Sequence, residues 1–131
     1  MIKGKLYETK ASLVVLYNNG EVKEYYQNRI KDIQEILKEN PEALKDAIIA
    51  DKVIGKVAAS ILTVAGVKSI YAHVMSQYAI SILEENGVSY EYKNLTEYII
   101  NNAKTGMCPM ENKYKDEKNI KRIYQEMLKL T

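Results

Sequence analysis

The stretch from Asp51 to Gly87 constrains the fold more than any other part of the chain, because helical and strand patterns alternate in it with clear boundaries. The spacing predicts a helix over 51–65. Asp51 supplies an oxygen for the free N–H groups of a helix start, and Gly66 suits the left-handed conformation that ends one. Apolar residues spread over more than one side of this helix, which indicates that it is covered on most sides.

A strand, a second helix and another strand follow. The run from Lys68 to Val74 is too short for a helix and holds Ile, Tyr and Val, as a buried strand does. Ser76 is placed to cap a helix over 76–86, and Val88–Tyr92 reads as the next strand. Two strands joined through a helix of about ten residues form a parallel pair, so the class is α/β.

Upstream of this unit, the sequence predicts a β-hairpin. Residues 12–17 are almost wholly apolar, Asn18-Asn19-Gly20 suits a tight turn, and residues 21–26 alternate charged and apolar side chains. The first strand is expected inside the sheet and the second at its edge.

Three further helices complete the predicted elements. An amphipathic helix is predicted over 28–40, a second helix begins at Thr96 and includes Ala103, and a C-terminal helix covers 113–131. The whole is a mixed sheet in which a β-hairpin is followed by β-α-β units, with an added C-terminal helix.

Composition limits the class of protein. The 131 residues suit a single domain over 1–131, and a net charge of +2 gives no sign of a nucleic-acid partner. With no apolar run of membrane-spanning length and no signal region, we expect a cytoplasmic protein without a membrane partner. One cysteine and one histidine cannot form a Cys/His metal cage, so no metal and no other cofactor are predicted.

Three sequence words carry a family resemblance: ADKVIGKVAA, the strand end VMS ahead of helix 76–86, and TGMCPME. Over residues 12–111 the chain resembles a small prokaryotic family of unknown function within the cytidine-deaminase-like superfamily. The resemblance implies the three-layer cytidine-deaminase-like fold and names no reaction.

The resemblance also implies a loss of zinc. Zinc deaminases place H-x-E at one helix start and P-C-x-x-C at the next. Here Asp51, Lys52 and Val53 stand at the first of these positions and Met75-Ser76-Gln77-Tyr78-Ala79 at the second. Hydrolytic deamination through zinc-activated water is therefore not expected.

The candidate site residues lie where a predicted crevice follows the carboxyl ends of the parallel strands. Asp51 is either a plain helix cap or a proton-transfer residue, and Lys52 and Lys56 are either solvated or ligand-binding. His73, near the end of a strand, is either structural or a ligand contact, and Ser76 is a cap that also borders the crevice.

Cys108 is the second catalytic candidate beside Asp51. It precedes Pro109, a residue favoured at the first position of a helix, where free N–H groups stabilise a thiolate. A buried, inert cysteine is the competing reading.

Two functional hypotheses follow. The first is a metal-free deaminase-like domain that binds a small anionic or nucleotide-like ligand in the crevice. The alternative is a non-catalytic oligomerising or regulatory module. Apolar helix faces and an edge strand also predict a homodimer.

Overall fold

The computed structural model describes residues 2–27, 30–100 and 106–129, and within them it forms a five-stranded mixed sheet and six helices. The predicted α/β class is thereby confirmed. The strands are β1 (Leu13–Leu16), β2 (Val22–Tyr25), β3 (Ile48–Ile54), β4 (Ser69–Ser76) and β5 (Ser89–Thr96). The helices are α1 (Ile2–Glu8), α2 (Lys31–Glu39), α3 (Lys56–Ala65), α4 (Gln77–Glu85), α5 (Pro109–Tyr114) and α6 (Ile120–Lys129).

The strands lie in the order β2-β1-β3-β4-β5. Strand β1 is antiparallel to both β2 and β3, and β3, β4 and β5 are parallel to one another. The hairpin is confirmed, with Leu16 opposite Val22 and with Gly20 at φ +91°, a conformation that glycine adopts without strain. As expected, β1 is an inner strand and β2 lies at an edge.

Helices cover both faces of the sheet and give three layers. One face holds the large core, to which α2, α3, α4 and α6 contribute buried side chains such as Leu37, Ile61, Leu83 and Ile123. On the other face, Ile2 and Leu6 of α1 pack with Val14 and Ala50 of the sheet in a smaller cluster. The sequence pattern of residues 2–11 is too weak to predict α1.

The predicted helix over 51–65 is wrong at its beginning. Residues 48–54 form β3, in which Asp51 pairs with Leu13 of β1 and Ala72 of β4, and the helix begins only at Lys56. Pairing on both sides satisfies the backbone of this inner strand, and that long-range gain outweighs the local helical pattern. The end of the helix is as predicted, with Gly66 at φ +86°.

Two further helix predictions are corrected. Thr96 ends β5 and starts no helix over 97–100, while Ala103 lies outside the described residues. The predicted helix over 113–131 is two helices, because α5 ends at Tyr114 and α6 begins at Ile120. The Asn119 side-chain oxygen accepts hydrogen bonds from the N–H groups of Lys121 and Arg122, a helix cap that accounts for the late start. Residues 130–131 lie outside the described part.

Among the helices of the described residues, none combines the length and the apolar character needed to cross a membrane.

Candidate functional site

A cleft of about 890 Å³ opens where β3 and β4 end and α3 and α5 begin. Its volume is in the range of small-molecule sites, about 300–1,000 Å³. Most of its lining is apolar, and its charged members are Asp51, Lys52 and Glu111. The lining side chains from the strands and α3 include Asp51, Lys52, Val53, Val57, Ala58 and Val74, and those from the chain that follows β5 include Tyr98, Ile99, Cys108, Met110 and Glu111.

Glu111 joins three segments at the floor of this cleft. One carboxylate oxygen accepts hydrogen bonds from the Lys56 N–H at 2.7 Å and from the Ser76 hydroxyl at 2.8 Å, and the other accepts from the Ile99 N–H at 2.6 Å. The side chain is only 2% exposed. Since Lys56 and Ser76 stand at the starts of α3 and α4, this carboxylate holds the two helix starts together and complements their dipoles.

Gly55 makes room for that carboxylate. A Cβ atom at this position would lie 2.5 Å from a Glu111 oxygen and 2.7 Å from Cγ1 of Ile99, distances at which something must shift. The backbone angles of Gly55 are open to other residues, so glycine is needed here for space and not for conformation. Gly55 therefore allows α5 to approach the segment between β3 and α3 closely.

Asp51 is an acid of the cleft whose pKa is strongly raised. The residue is 6% exposed and borders the cleft, and burial raises the pKa of its carboxyl to about 7. A hydrogen bond of 3.3 Å from the Val53 N–H opposes that rise, as does the nearby N–H of Lys52, which itself donates to the Ser12 backbone oxygen. Near neutral pH, both the protonated and the ionised form of a carboxyl with this pKa are populated.

Asp32 of α2 adds to the effect. Its negative charge raises the pKa of Asp51 further, and burial raises the pKa of Asp32 itself. Asp32 accepts two hydrogen bonds from Gln27, one from the backbone and one from the side-chain amide, each 3.0 Å long. Asp32 is thus held in place by Gln27, while Asp51 faces the open cleft.

The structure brings three of the six predicted site residues together. Asp51, Lys52 and Cys108 all line the cleft, although none of them stands within the helix that the sequence suggested for 51–65. Cys108 occupies the N-cap position of α5, without a capping hydrogen bond from its side chain, and is partly buried, with Pro109 at the first helical position as predicted. Lys52 is exposed and is the cation of the lining.

The other three predicted residues lie elsewhere. Lys56 turns its amine to the backbone oxygen of Lys115 at 2.7 Å, and burial lowers the pKa of that amine. Ser76 is fully buried between the Ala79 N–H and Glu111, as a helix cap. His73 lies on the opposite face of the sheet, where its Nδ1 is 2.9 Å from the Tyr7 hydroxyl.

Sequence reasoning missed Glu111 as a site residue. Glu111 belongs to the word TGMCPME, and a glutamate in the first turn after Pro109 is a local signal of a helix start. Nothing local indicates that its carboxylate reaches α3 and α4 instead of capping its own helix, because the contact joins residues 55 positions apart.

The two helix starts do not fit a deaminase zinc ion. Asp51, Lys52 and Val53, matched to H-x-E from sequence, lie within β3, and the start of α3 carries Gly55 and Lys56 instead. The start of α4 offers Ser76, whose hydroxyl donates to Glu111. Within the described ranges, no three His, Cys, Asp or Glu side chains cluster as metal ligands do.

The fold and the cleft define a class: a small mixed α/β protein with a largely apolar cleft that is bordered by a buried carboxyl of raised pKa. Within that class, the chain belongs to the TM1506 family, a domain of unknown function (DUF1893), whose family model matches residues 1–129. The predicted membership of a family of unknown function is confirmed. The solved structures include the DUF1893 family protein TM1506 from Thermotoga maritima, a crystal structure at 2.70 Å resolution.

The similarity to that crystal structure is extensive. The TM-score is 0.86 at 26% sequence identity, and the match covers 97% of this chain and 86% of the other. A comparison with curated proteins gave no match. The comparisons thus agree on the family and on the mixed α/β fold.

Proposed function

We propose that the cleft binds a small, largely apolar molecule that carries a basic nitrogen or an N–H group, and that Asp51 exchanges a proton or a hydrogen bond with that group. One observation carries the proposal: a buried carboxyl with a pKa near 7 opens onto a cleft large enough for such a molecule. An acid or base works best when its pKa lies near the working pH.

The charges of the cleft favour a neutral or cationic ligand. Two of the three charged side chains in the lining, Asp51 and Glu111, are carboxylates. The helix-start N–H groups of Lys56 and Ala79 already donate to Glu111 and Ser76. The anionic ligand expected from the sequence would meet repulsion here, and the remaining cation, Lys52, is exposed to solvent.

The apolar walls supply binding and Asp51 supplies selectivity. Val53, Val57, Ala58 and Val74 offer a surface for a flat ring, on the order of 25 cal/mol for each Å² of apolar surface removed from water. The unprotonated form of Asp51 accepts a hydrogen bond from a protonated amine. The protonated form donates one to an unprotonated ring nitrogen. Transfer of the shared proton along either hydrogen bond takes it from one partner and gives it to the other, so the step balances.

We also propose that the domain is a metal-free member of the cytidine-deaminase-like superfamily. The strand order β2-β1-β3-β4-β5, the hairpin ahead of two parallel crossovers and the helices on both faces support this. The Glu111 carboxylate binds both helix starts at which a deaminase would hold zinc. Elemental analysis that found one zinc ion per purified chain would overturn this part.

A ligand screen tests the proposed function. Aminopyridines and imidazoles would be compared with benzoates of matched size by saturation-transfer NMR, on the native protein, on Asp51→Asn and on the exposed control Asp116→Asn. We expect the nitrogen heterocycles to bind the native protein and the control, and to bind Asp51→Asn at least about tenfold more weakly, as for a lost charge-assisted bond. Preferential binding of benzoates, or binding unaffected by Asp51→Asn, would overturn the proposal.

A second candidate function is that of an oligomerising module. It is favoured by β5, which lies at the edge of the sheet and whose residues 91–95 are exposed.

A further inference from the structure

Strand β5 is an edge strand with features of an interface. It comes last in the sheet order and, within the described residues, pairs only with β4. It is eight residues long, whereas edge strands that avoid association are short, covered, interrupted by bulges or protected by charged side chains. Strand β5 carries charges of both signs, Glu91 and Lys93, and not of one sign alone. Residues 91–95 are all exposed, including Tyr92 at 38% and Leu95 at 44%.

The charges of β5 are complementary to themselves. Glu91 and Lys93 are two residues apart, so both point to the same face of the sheet, with Tyr92 between them on the other face. If two copies of β5 pair antiparallel with Tyr92 opposite Tyr92, each Glu91 lies directly opposite a Lys93 of the other copy. A shift by one residue would place Glu91 opposite Asn94 and Lys93 opposite Tyr92, and both charge pairs would be lost.

The aromatic residues of β5 support the same register. Tyr90 and Tyr92 already stack within one chain, with ring centroids 6.5 Å apart and an angle of 10° between the rings. Placing Tyr92 beside its own copy extends this pair to four rings across the interface. Aromatic pairs and opposite charges at facing positions are the contacts that stabilise neighbouring strands.

We propose that a second copy of this chain pairs through β5 in this antiparallel register, which joins two five-stranded sheets into one ten-stranded sheet. Tyr92 lies on the two-fold axis, and two Glu91–Lys93 pairs flank it on one face. A two-fold contact of this kind uses the same surface on both copies, so it closes at a dimer.

The intrachain partners of these charges leave them available. Glu91 accepts from the Lys3 amine at 2.5 Å, yet the Glu91 side chain remains 62% exposed. The Lys93 amine lies 5.6 Å from the centre of the Tyr7 ring, and no carboxylate of the described residues forms an ion pair with it. A carboxylate can accept from two amines at once, so Lys3 and the Lys93 of the second copy can both bind Glu91.

Reversing the charges tests the proposal. In Glu91→Lys two lysines face two lysines across the interface, and in Lys93→Glu two glutamates face two glutamates. We expect each single variant to raise the dimer dissociation constant at least about tenfold, as like charges at facing positions are destabilising. The double variant Glu91→Lys/Lys93→Glu restores opposite charges and is expected to dimerise like the native protein.

Mixing the two single variants gives an independent control. One has only lysines at positions 91 and 93 and the other only glutamates, so an equimolar mixture should form a heterodimer although neither variant dimerises alone. Sedimentation velocity over a concentration series measures all five samples, and circular dichroism confirms that each is folded. A native protein that stays monomeric at millimolar concentration overturns the proposal, as does a dimer that neither single variant weakens.

A cross-link tests the register itself. In a Cys108→Ser background, Tyr92→Cys places two thiols opposite each other on the axis, at the Cα separation of about 4.5–5.5 Å that a disulfide spans. Asn94→Cys, two residues along, faces Tyr90 of the other copy and is the matched control. Rapid disulfide formation by Tyr92→Cys alone supports the register, and equal or preferred cross-linking by Asn94→Cys contradicts it.

Discussion

Asp51→Asn is expected to stabilise the protein above neutral pH. Asparagine has the shape of the aspartate and keeps an oxygen that can accept from the Val53 N–H, but it never carries a charge. The substitution therefore removes the ionisation of a carboxyl buried at 6% exposure and leaves its packing in place.

The magnitude follows from the two pKa values of the native residue. The pKa is about 7 in the folded protein and 3.8 for the ordinary carboxyl, so between these values the folded state holds a proton that the unfolded state has lost. The free energy of unfolding of the native protein is therefore higher at low pH than at high pH. It falls by about 1.4 kcal/mol per pH unit as the pH rises from about 4 to about 7. The total is about 4 kcal/mol, a large part of the roughly 5–15 kcal/mol that holds a domain folded.

Urea unfolding followed by circular dichroism at intervals from about pH 4 to about pH 9 measures this difference. The free energy of unfolding of Asp51→Asn should equal that of the native protein near pH 4 and exceed it by up to about 4 kcal/mol above pH 8. Glu42→Gln, at an exposed position, is the control for a lost negative charge and should run parallel to the native curve. Parallel curves for native protein and Asp51→Asn would refute the inference that burial raises the pKa of Asp51.

Gly55→Ala should lower stability by about 1–3 kcal/mol, because its Cβ would lie 2.5 Å from a Glu111 oxygen. The control Gly4→Ala, within α1, should raise stability by about 0.5–1 kcal/mol. Thermal unfolding measures both variants, and equal effects would contradict the close approach of Glu111 to Gly55. Glu111→Ala should cost about 3–5 kcal/mol and Ser76→Ala only about 1–2 kcal/mol, since the first leaves three donors without an acceptor. Equal losses in urea unfolding would contradict the role of the carboxylate. Carboxymethylation of Cys108 in the native protein should block heterocycle binding, because the thiol lines the cleft; unchanged binding by the labelled protein would place the ligand elsewhere.

The parts of the fold that could be predicted are those whose boundaries are marked by residues with a strong local preference for turns or helix ends. Gly20, Gly66 and Ser76 each mark a boundary through their own chemistry, and the hairpin, the end of α3 and the start of α4 were predicted from them. In each case the signal lies within a few residues of the element that it bounds.

The start of α3 shows where such reasoning stops. Asp51 suits a helix start, and whether a helix begins there depends on whether residues 48–54 find strand partners. β1 and β4 supply those partners from positions well separated in the chain. The local pattern contains no information about that pairing, so it predicts a helix at Asp51, which lies in β3.

The candidate site was predicted in part for the same reason. Placing Asp51, Lys52 and Cys108 near the ends of parallel strands required only the βαβ topology. The role of Glu111 depends on how α5 packs on α3, and the position of His73 depends on which face of the sheet α1 covers. Both contacts join parts of the chain that are far apart in sequence.

The central claim is that a cleft carboxyl exchanges its proton near neutral pH. The most direct test is a pH titration of the side-chain carboxyl carbon of Asp51 by NMR on labelled protein, with the signal assigned by its absence in Asp51→Asn. The structure predicts a midpoint near 7 and a further change when a nitrogen heterocycle is added. A midpoint near the 3.8 of an ordinary aspartate would contradict the claim, since Asp51 would then carry a fixed charge at neutral pH and could not serve as the acid of the cleft.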